Sequence, residues 1–196
     1  MDTHFSNIKK YYQNLLPELS EEQWQYFQQF LVQKTIKKNE YLVEPGKVCK
    51  YVTYINKGSL RAFNITDGKE YALSFFIEND YASEYCSFLT KTPATYFIQA
   101  LEDTEVIDLH YDDMQKLYRE IPILERFGRY IAENLFIMLS TRNTSLLTES
   151  PEERYLKLLQ SNQNNLLQRV PQYMIASYLG ITPEALSRIR KRLSEK

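Results

Sequence analysis

The chain runs to 196 residues with 24 Lys and Arg against 25 Asp and Glu, a formal net charge of −1. That balance excludes a uniformly basic nucleic-acid coat, so any hold on phosphate must come from local charge. Two cysteines, Cys49 and Cys86, and two histidines, His4 and His110, are too few for a zinc or iron–sulfur cage, and both thiols are expected to be reduced. The length suits one or two domains. The opening residues, MDTHFSNIKKYY, lack an apolar core of signal-peptide length, and no run of about 18 apolar residues occurs. A soluble cytoplasmic protein with no membrane partner is therefore expected.

In chain order, Phe5, Ile8, Tyr12 and Leu15 mark an amphipathic helix that stops at Pro17. Ser20 with Gln23 resembles a capping box that opens a second helix through about Phe30. From there to about Leu109 the period changes to two. Residues 41–43, 51–55, 60–64, 71–76, 96–100 and 106–109 are short β-branched and aromatic runs, separated by the turn signals Pro45-Gly46, Lys57-Gly58 and Asp67-Gly68. Such strands at this spacing predict an antiparallel sandwich or jelly roll, with most tyrosines and phenylalanines in its core and surface ladders. Asp112 is placed to cap a short helix through Tyr118.

Pro122 then opens a longer helix, through about residue 147. Its residues Leu124, Phe127, Ile131, Leu135 and Met138 approximate a helical seam, and Phe136 and Leu139 widen the apolar stripe beyond what one neighbour buries. A dimer axis is the reading; the plainer alternative is a helix lying on its own jelly roll. Ser150-Pro151-Glu152-Glu153 restarts the chain as a capped helix, so a hinge falls near 148–151. Asn and Gln crowd residues 160–168, which predicts a polar loop.

Residues 171–193, PQYMIASYLGITPEALSRIRKRL, predict two short helices joined by a tight turn. Pro171 suits the first position of a helix carrying Ile175, Ala176 and Leu179. Gly180 sits where the chain must leave it, Thr182 follows as an N-cap, Pro183 takes the first helical position, and Ile181 with Leu186 forms a hydrophobic staple. At about 100° per residue, Leu186, Ile189 and Leu193 share one side of the second helix; Glu184, Ser187, Arg188 and Lys191 share the other. The stretch from residue 183 on carries Arg188, Arg190, Lys191, Arg192 and Lys196 against Glu184 and Glu195, a basic tip on a neutral body. An outward face of that kind fits the DNA major groove, where Arg grips guanine and Glu accepts from cytosine. A cationic last turn also complements the macrodipole of any helix, which is the bland account of the same charges.

Three segments together resemble the CRP/FNR family of transcription regulators. They are Gly46 with 51–55 and Lys57-Gly58-Ser59-Leu60-Arg61; Asp80-Tyr81-Ala82-Ser83-Glu84-Tyr85, where the family has its phosphate-binding cassette; and Ile175-Ala176 through Gly180-Ile181-Thr182-Pro183-Glu184 to Leu186-Ser187-Arg188. The resemblance implies an α+β fold: an N-terminal antiparallel β jelly roll over 1–121, a dimerisation helix and hinge over 122–149, and a C-terminal winged helix-turn-helix over 150–196. The chain stops three residues after Leu193, which leaves no room for wing strands beyond the recognition helix. The implied partners are double-stranded DNA, a second copy of the chain and RNA polymerase.

In the family the cassette's Glu holds a cyclic nucleotide's ribose and an Arg ten residues later holds its phosphate. Glu84 matches the Glu, but Ala94, followed by Thr95, stands where the Arg belongs, and Ser83 replaces a Gly. The candidate effector pocket is thus Ser83, Glu84, Tyr85, Ala94 and Thr95, with cyclic AMP disfavoured because a buried phosphate without its cation loses a charge-assisted bond. Lys91 is the nearest cation in sequence and the first replacement to consider. On the DNA side the reading residues are Thr182, Pro183, Glu184, Ser187, Arg188 and Lys191, with Pro183 standing where a reading Arg is often found. No cofactor, metal or catalytic site is expected, since a jelly-roll metalloenzyme needs a His cluster that this chain lacks. The alternatives are a cyclic-nucleotide regulator with a replacement phosphate contact, and a regulator-like module that binds protein instead of DNA.

Overall fold

The computed structural model describes residues 5–160 and 164–195. Helix α1, Ser6–Leu15, buries Ile8 and Tyr12 and ends before Pro17. Helix α2, Glu21–Phe27, opens on the expected capping box: the Gln23 N–H donates to Ser20 Oγ at 3.1 Å and the Ser20 N–H to Gln23 Oε1 at 3.0 Å. Its end tightens into a 3₁₀ turn over Gln28–Phe30.

Eight strands follow: β1 Leu31–Ile36, β2 Tyr41–Val43, β3 Tyr51–Lys57, β4 Leu60–Thr66, β5 Lys69–Phe76, β6 Tyr81–Ala82, β7 Phe97–Ala100 and β8 Thr104–His110. They form two four-stranded sheets, ordered β1-β8-β3-β6 and β2-β7-β4-β5, which is the jelly roll the turn spacing predicted. Strand β1 is absent from the predicted runs. Its buried residues, Leu31 and Ile36, are five apart with Gln33, Lys34 and Thr35 between them, so no alternation is visible. In register, Thr53 faces Asp108, and the Thr53 hydroxyl donates to Asp108 Oδ1 at 2.6 Å. Lys34 pairs with the same carboxylate, so a buried charge is satisfied twice. Gly58 has φ +107°, and a Cβ there would lie 2.7 Å from the Thr104 Cα. Only glycine permits both that backbone and that approach.

A short helix, α3, Tyr85–Thr90, interrupts the strands, and α4, Tyr111–Glu120, follows them. The cap of α4 corrects the expectation: His110 is the N-cap, its Nδ1 accepting the Asp112 N–H at 3.2 Å, while Asp112 lies within the first turn. Asp112 there complements the helix dipole instead of ending the chain of N–H groups. Helix α5, Pro122–Thr148, is the predicted long helix. Helix α6, Pro151–Gln160, is opened by Ser150 and Glu153 as a reciprocal box, at 3.3 and 2.7 Å.

Helix α7, Asn164–Arg169, occupies much of the predicted polar loop; residues 161–163 of that stretch lie outside the described residues. Val170, 4% exposed, draws the end of this segment into a core. Helix α8, Gln172–Tyr178, begins one residue later than expected, with Pro171 as its N-cap. Helix α9 is Pro183–Ser194. Among the described residues no strand follows β8, so the expected wing is not found and the last segment is helical throughout.

The chain divides into two compact units. One comprises the residues up to Ala62 together with Phe75–Glu133; the other comprises Phe63–Ser74 together with the chain from Asn134 on. The first holds the main core, including an aromatic stack in which the Tyr12 ring lies 4.9 Å from Phe27 and 4.3 Å from Phe127.

Candidate nucleic-acid interface and effector pocket

The turn between α8 and α9 is fixed by its own backbone. Gly180 has φ +71°; its N–H donates to the Ser177 C=O at 3.0 Å, and the Ile181 N–H reaches back to the Ala176 C=O at 3.0 Å. That pair of bonds is a Schellman closure, which needs a residue free to adopt a left-handed backbone. Two residues on, Thr182 caps α9, its Oγ1 accepting the Ala185 N–H at 3.3 Å, with Pro183 at the first helical position. Leu186 and Ile189 are buried, whereas Thr182, Pro183, Glu184, Ser187, Arg188 and Lys191 are all exposed. Of the expected packed side, Leu186 and Ile189 are buried and Leu193 is half-buried.

Electrostatics separates them further. The Glu184 carboxyl lies below its ordinary range because its own backbone N–H and the Thr182 hydroxyl bond it, with Arg188 adding a smaller attraction. An ionised Glu184 is an acceptor only, as a cytosine amino group requires. Arg192 is tied to Glu152 of α6 at 2.7 Å, and Lys191 lies 3.9 Å from Glu195.

Sequence reading missed what holds α8. Arg142 on α5 stacks its guanidinium 3.7 Å from the Tyr178 ring centroid and donates to the Tyr178 C=O at 2.9 Å. Burial pulls its pKa down. Arg154 on α6 donates from Nε to the Leu179 C=O at 3.1 Å. Two arginines thus satisfy carbonyls that the end of a helix leaves open. Nothing in the sequence singles them out: Arg142 is one of three arginines in α5, and Arg154 is a cation in the first turn of α6.

In the β-roll, Glu84 is 3% exposed and acts as the N-cap of α3. Its Oε2 accepts the Ser87 N–H at 2.5 Å, and the Thr95 hydroxyl lies 3.4 Å from Oε1. Ser83 lies beside Cys49, Oγ to Sγ 3.4 Å, and donates to the Tyr51 C=O at 3.1 Å. Ala94 is 4% exposed and paired through its backbone with Gly46 and Lys47, at 2.9 Å each. The fold thus brings Glu84 and Thr95 together. Tyr85 turns elsewhere, lining a cavity of about 40 Å³ with Val52, Leu117 and Tyr118.

Lys91 is exposed, with its Nζ 3.3 Å from Asp112 and 4.4 Å over the Tyr111 ring. Arg61, a buried cation of β4, donates from Nε and Nη2 to Gln99 Oε1 at 3.0 and 2.8 Å. Both cysteines are free thiols, Cys49 buried and Cys86 exposed. Among the described residues no three His, Cys, Asp or Glu side chains converge to hold a metal ion, and no helix is long and apolar enough to cross a membrane.

The predicted dimer seam divides along α5. Leu124 and Phe127 are buried in the chain's own core, and Ile131 packs against it. These residues are taken by intramolecular contacts, which corrects their assignment to a partner surface. Further along, Phe136, Ile137, Met138, Leu139 and Leu147 are exposed, from 47 to 78%.

A β-roll, a long helix and a closing pair of helices joined by a glycine turn are the described elements of the fold. The cyclic nucleotide-binding domain family matches residues 33–120. The transcriptional activator protein Anr of Pseudomonas aeruginosa is 26% identical over 180 residues, covering 83% of this chain and 70% of that protein. The fumarate and nitrate reduction regulatory protein of Yersinia pestis is 24% identical over 180 residues, covering 83% and 68%. A mutant of CooA from Carboxydothermus hydrogenoformans superposes with a TM-score of 0.70 at 20% identity, covering 93% of this chain and 83% of that one. The chain carries a cyclic nucleotide-binding domain over residues 33–120 and is similar over most of its length to transcription regulators of the CRP/FNR type.

Proposed function

We propose that this chain is a sequence-specific DNA-binding transcription regulator that acts in the cytoplasm as a homodimer, each copy placing α9 in the major groove and together engaging RNA polymerase at promoters. The observation that carries the reading is the face of α9, which buries Leu186 and Ile189 while leaving Glu184, Ser187, Arg188 and Lys191 exposed beyond a capped turn. Arg188 is the guanine-reading residue and Glu184 the acceptor for a cytosine amino group. The exposed apolar residues Phe136, Ile137, Met138 and Leu139, with Leu146 and Leu147 two turns on, are the dimer contact, since a cluster of that size on one helix is suited to burial by a second copy. Regulation comes from a small effector other than cyclic AMP or from none, because Ala94 offers a cyclic phosphate no cation and Lys91 is paired with Asp112.

The test is selection of bound duplexes from a random pool, followed by titration of the recovered site. Arg188→Ala is expected to cost about 1–3 kcal/mol and to relax preference at one base position. A uniform loss across all sequences would reassign Arg188 to phosphate. Affinity should also fall steeply as salt rises. A protein-binding module would recover no common sequence from the pool.

A further inference from the structure

Strand β5 is the last strand of its sheet, so the backbone groups along its outer edge have no neighbouring strand. Within the second unit, one hydroxyl supplies two of the missing partners. Ser177 Oγ, on the last turn of α8, accepts the Ala72 N–H at 3.0 Å and donates to the Glu70 C=O at 3.3 Å. Residues 70 and 72 lie two apart, so these groups point to the same side of the strand. Phe63–Ser74, the tip of the β4–β5 hairpin, accordingly clusters with the chain from Asn134 on. The tip is a stiff piece: its two-residue connection, Asp67 with φ +52° and Gly68 with φ +73°, fits the tight turn favoured between twisted antiparallel strands. The carbonyls of Tyr178 and Leu179 are held separately by Arg142 and Arg154.

We propose that Ser177 is a latch through which the β4–β5 hairpin sets the pose of the DNA-reading helix. The chain path supports a regulatory role, because β4 begins and β5 ends in residues of the first unit. A shift of either strand along its axis is carried to α8 through the Ser177 bonds, and from α8 to α9 through the closed turn at Gly180. The latched state is the binding-competent one. It leaves Glu184, Ser187, Arg188 and Lys191 exposed, so it does not cover the reading face. By restricting α8 it reduces the orientations that DNA binding must freeze out. The affinity part of this inference rests on the DNA reading proposed above; the latch itself does not.

The experiment uses the full chain and Ser177→Ala, which removes the hydroxyl at a helix position where alanine is well tolerated. Amide hydrogen exchange at Ala72 is expected to accelerate by about two- to tenfold, the worth of one such hydrogen bond. Affinity for the selected duplex should weaken by a similar factor. Ser177→Thr keeps the hydroxyl and should restore both. Unchanged exchange at Ala72 overturns the latch. Faster exchange with unchanged or tighter DNA binding overturns its role in holding the competent pose. If the natural chain recovers no common duplex sequence, DNA reading fails and takes the affinity part with it, while exchange at Ala72 still decides the latch.

Discussion

At Glu84 the carboxylate is occupied from both ends, by the Ser87 N–H on one oxygen and the Thr95 hydroxyl on the other. A carboxylate accepts about four hydrogen bonds, so the cap of α3 leaves room for a ribose hydroxyl, but a cyclic phosphate gains no cation from Ala94, and Lys91 is paired with Asp112. Calorimetry with millimolar cyclic AMP is therefore expected to give no saturable heat; micromolar binding would overturn the reading and require another cation at the phosphate. Asp80, in the same segment, carries a different cost. Burial raises its pKa, the Ile77 N–H at 2.9 Å offsets part of that, and Glu78 adds to it. A folded pKa above the unfolded one means that ionisation opposes folding: the penalty is absent below the unfolded pKa, grows as pH rises through the folded one, and stays constant above it. Asp80→Asn keeps an acceptor for Ile77 and should raise Tm by about 2–4 °C at neutral pH, with no gain below about pH 3. A gain that persists in acid would point to a packing effect. Single residues were legible where chemistry is local, as at Ser20, Gly180 and Thr182. His110 was missed because imidazole is seldom the acceptor at a helix start, and Asp112, two residues on, is the commoner type.

Among elements, α5 shows how far periodicity carries. The steps of three and four from Leu124 to Met138 identified one helix and one apolar seam, but they are the same whether the neighbour is the chain's own core or a second copy. In the fold the seam changes hands: Leu124 and Phe127 belong to the core, and exposure begins after Ile131. From Phe136 to Leu139 four consecutive residues are apolar and exposed, directions that one α-helix spreads around its whole circumference. A helix apolar on all sides requires cover on more than one. Ile137→Asp combined with Met138→Asp should leave helix content unchanged, since exposed substitutions cost a monomer little, within about 0.5 kcal/mol each. Sedimentation should report a dimer for the natural chain and a monomer for the double variant. A variant that stays dimeric would move the interface off this surface. Strand β1 escaped sequence reading because its two buried positions, five apart, are too few to register a period, and helix α7 because Asn164, Asn165 and Gln168 among its six residues read as a polar loop.

On the scale of the whole molecule, a net charge of −1 means that attraction to DNA must come from local charge, and the cationic end of α9 supplies it. One such end per chain is a weak, salt-sensitive contact; two on a symmetric dimer turn the second contact into an intramolecular one. The geometry of B-DNA then sets the requirement. Two recognition helices related by a two-fold axis read half-sites whose centres lie about 10 base pairs apart, so that both face the same side of the duplex. Inserting about 5 base pairs between the half-sites turns one of them to the far side. Binding should then drop by the avidity factor, of order 10²–10⁴, towards the affinity of a single half-site, and the Ile137→Asp, Met138→Asp variant should show that lower affinity for every spacing. Gel-shift titration at fixed salt reads both. A natural chain indifferent to the insertion would mean that each copy reads alone, and the exposed surface of α5 would then need another explanation.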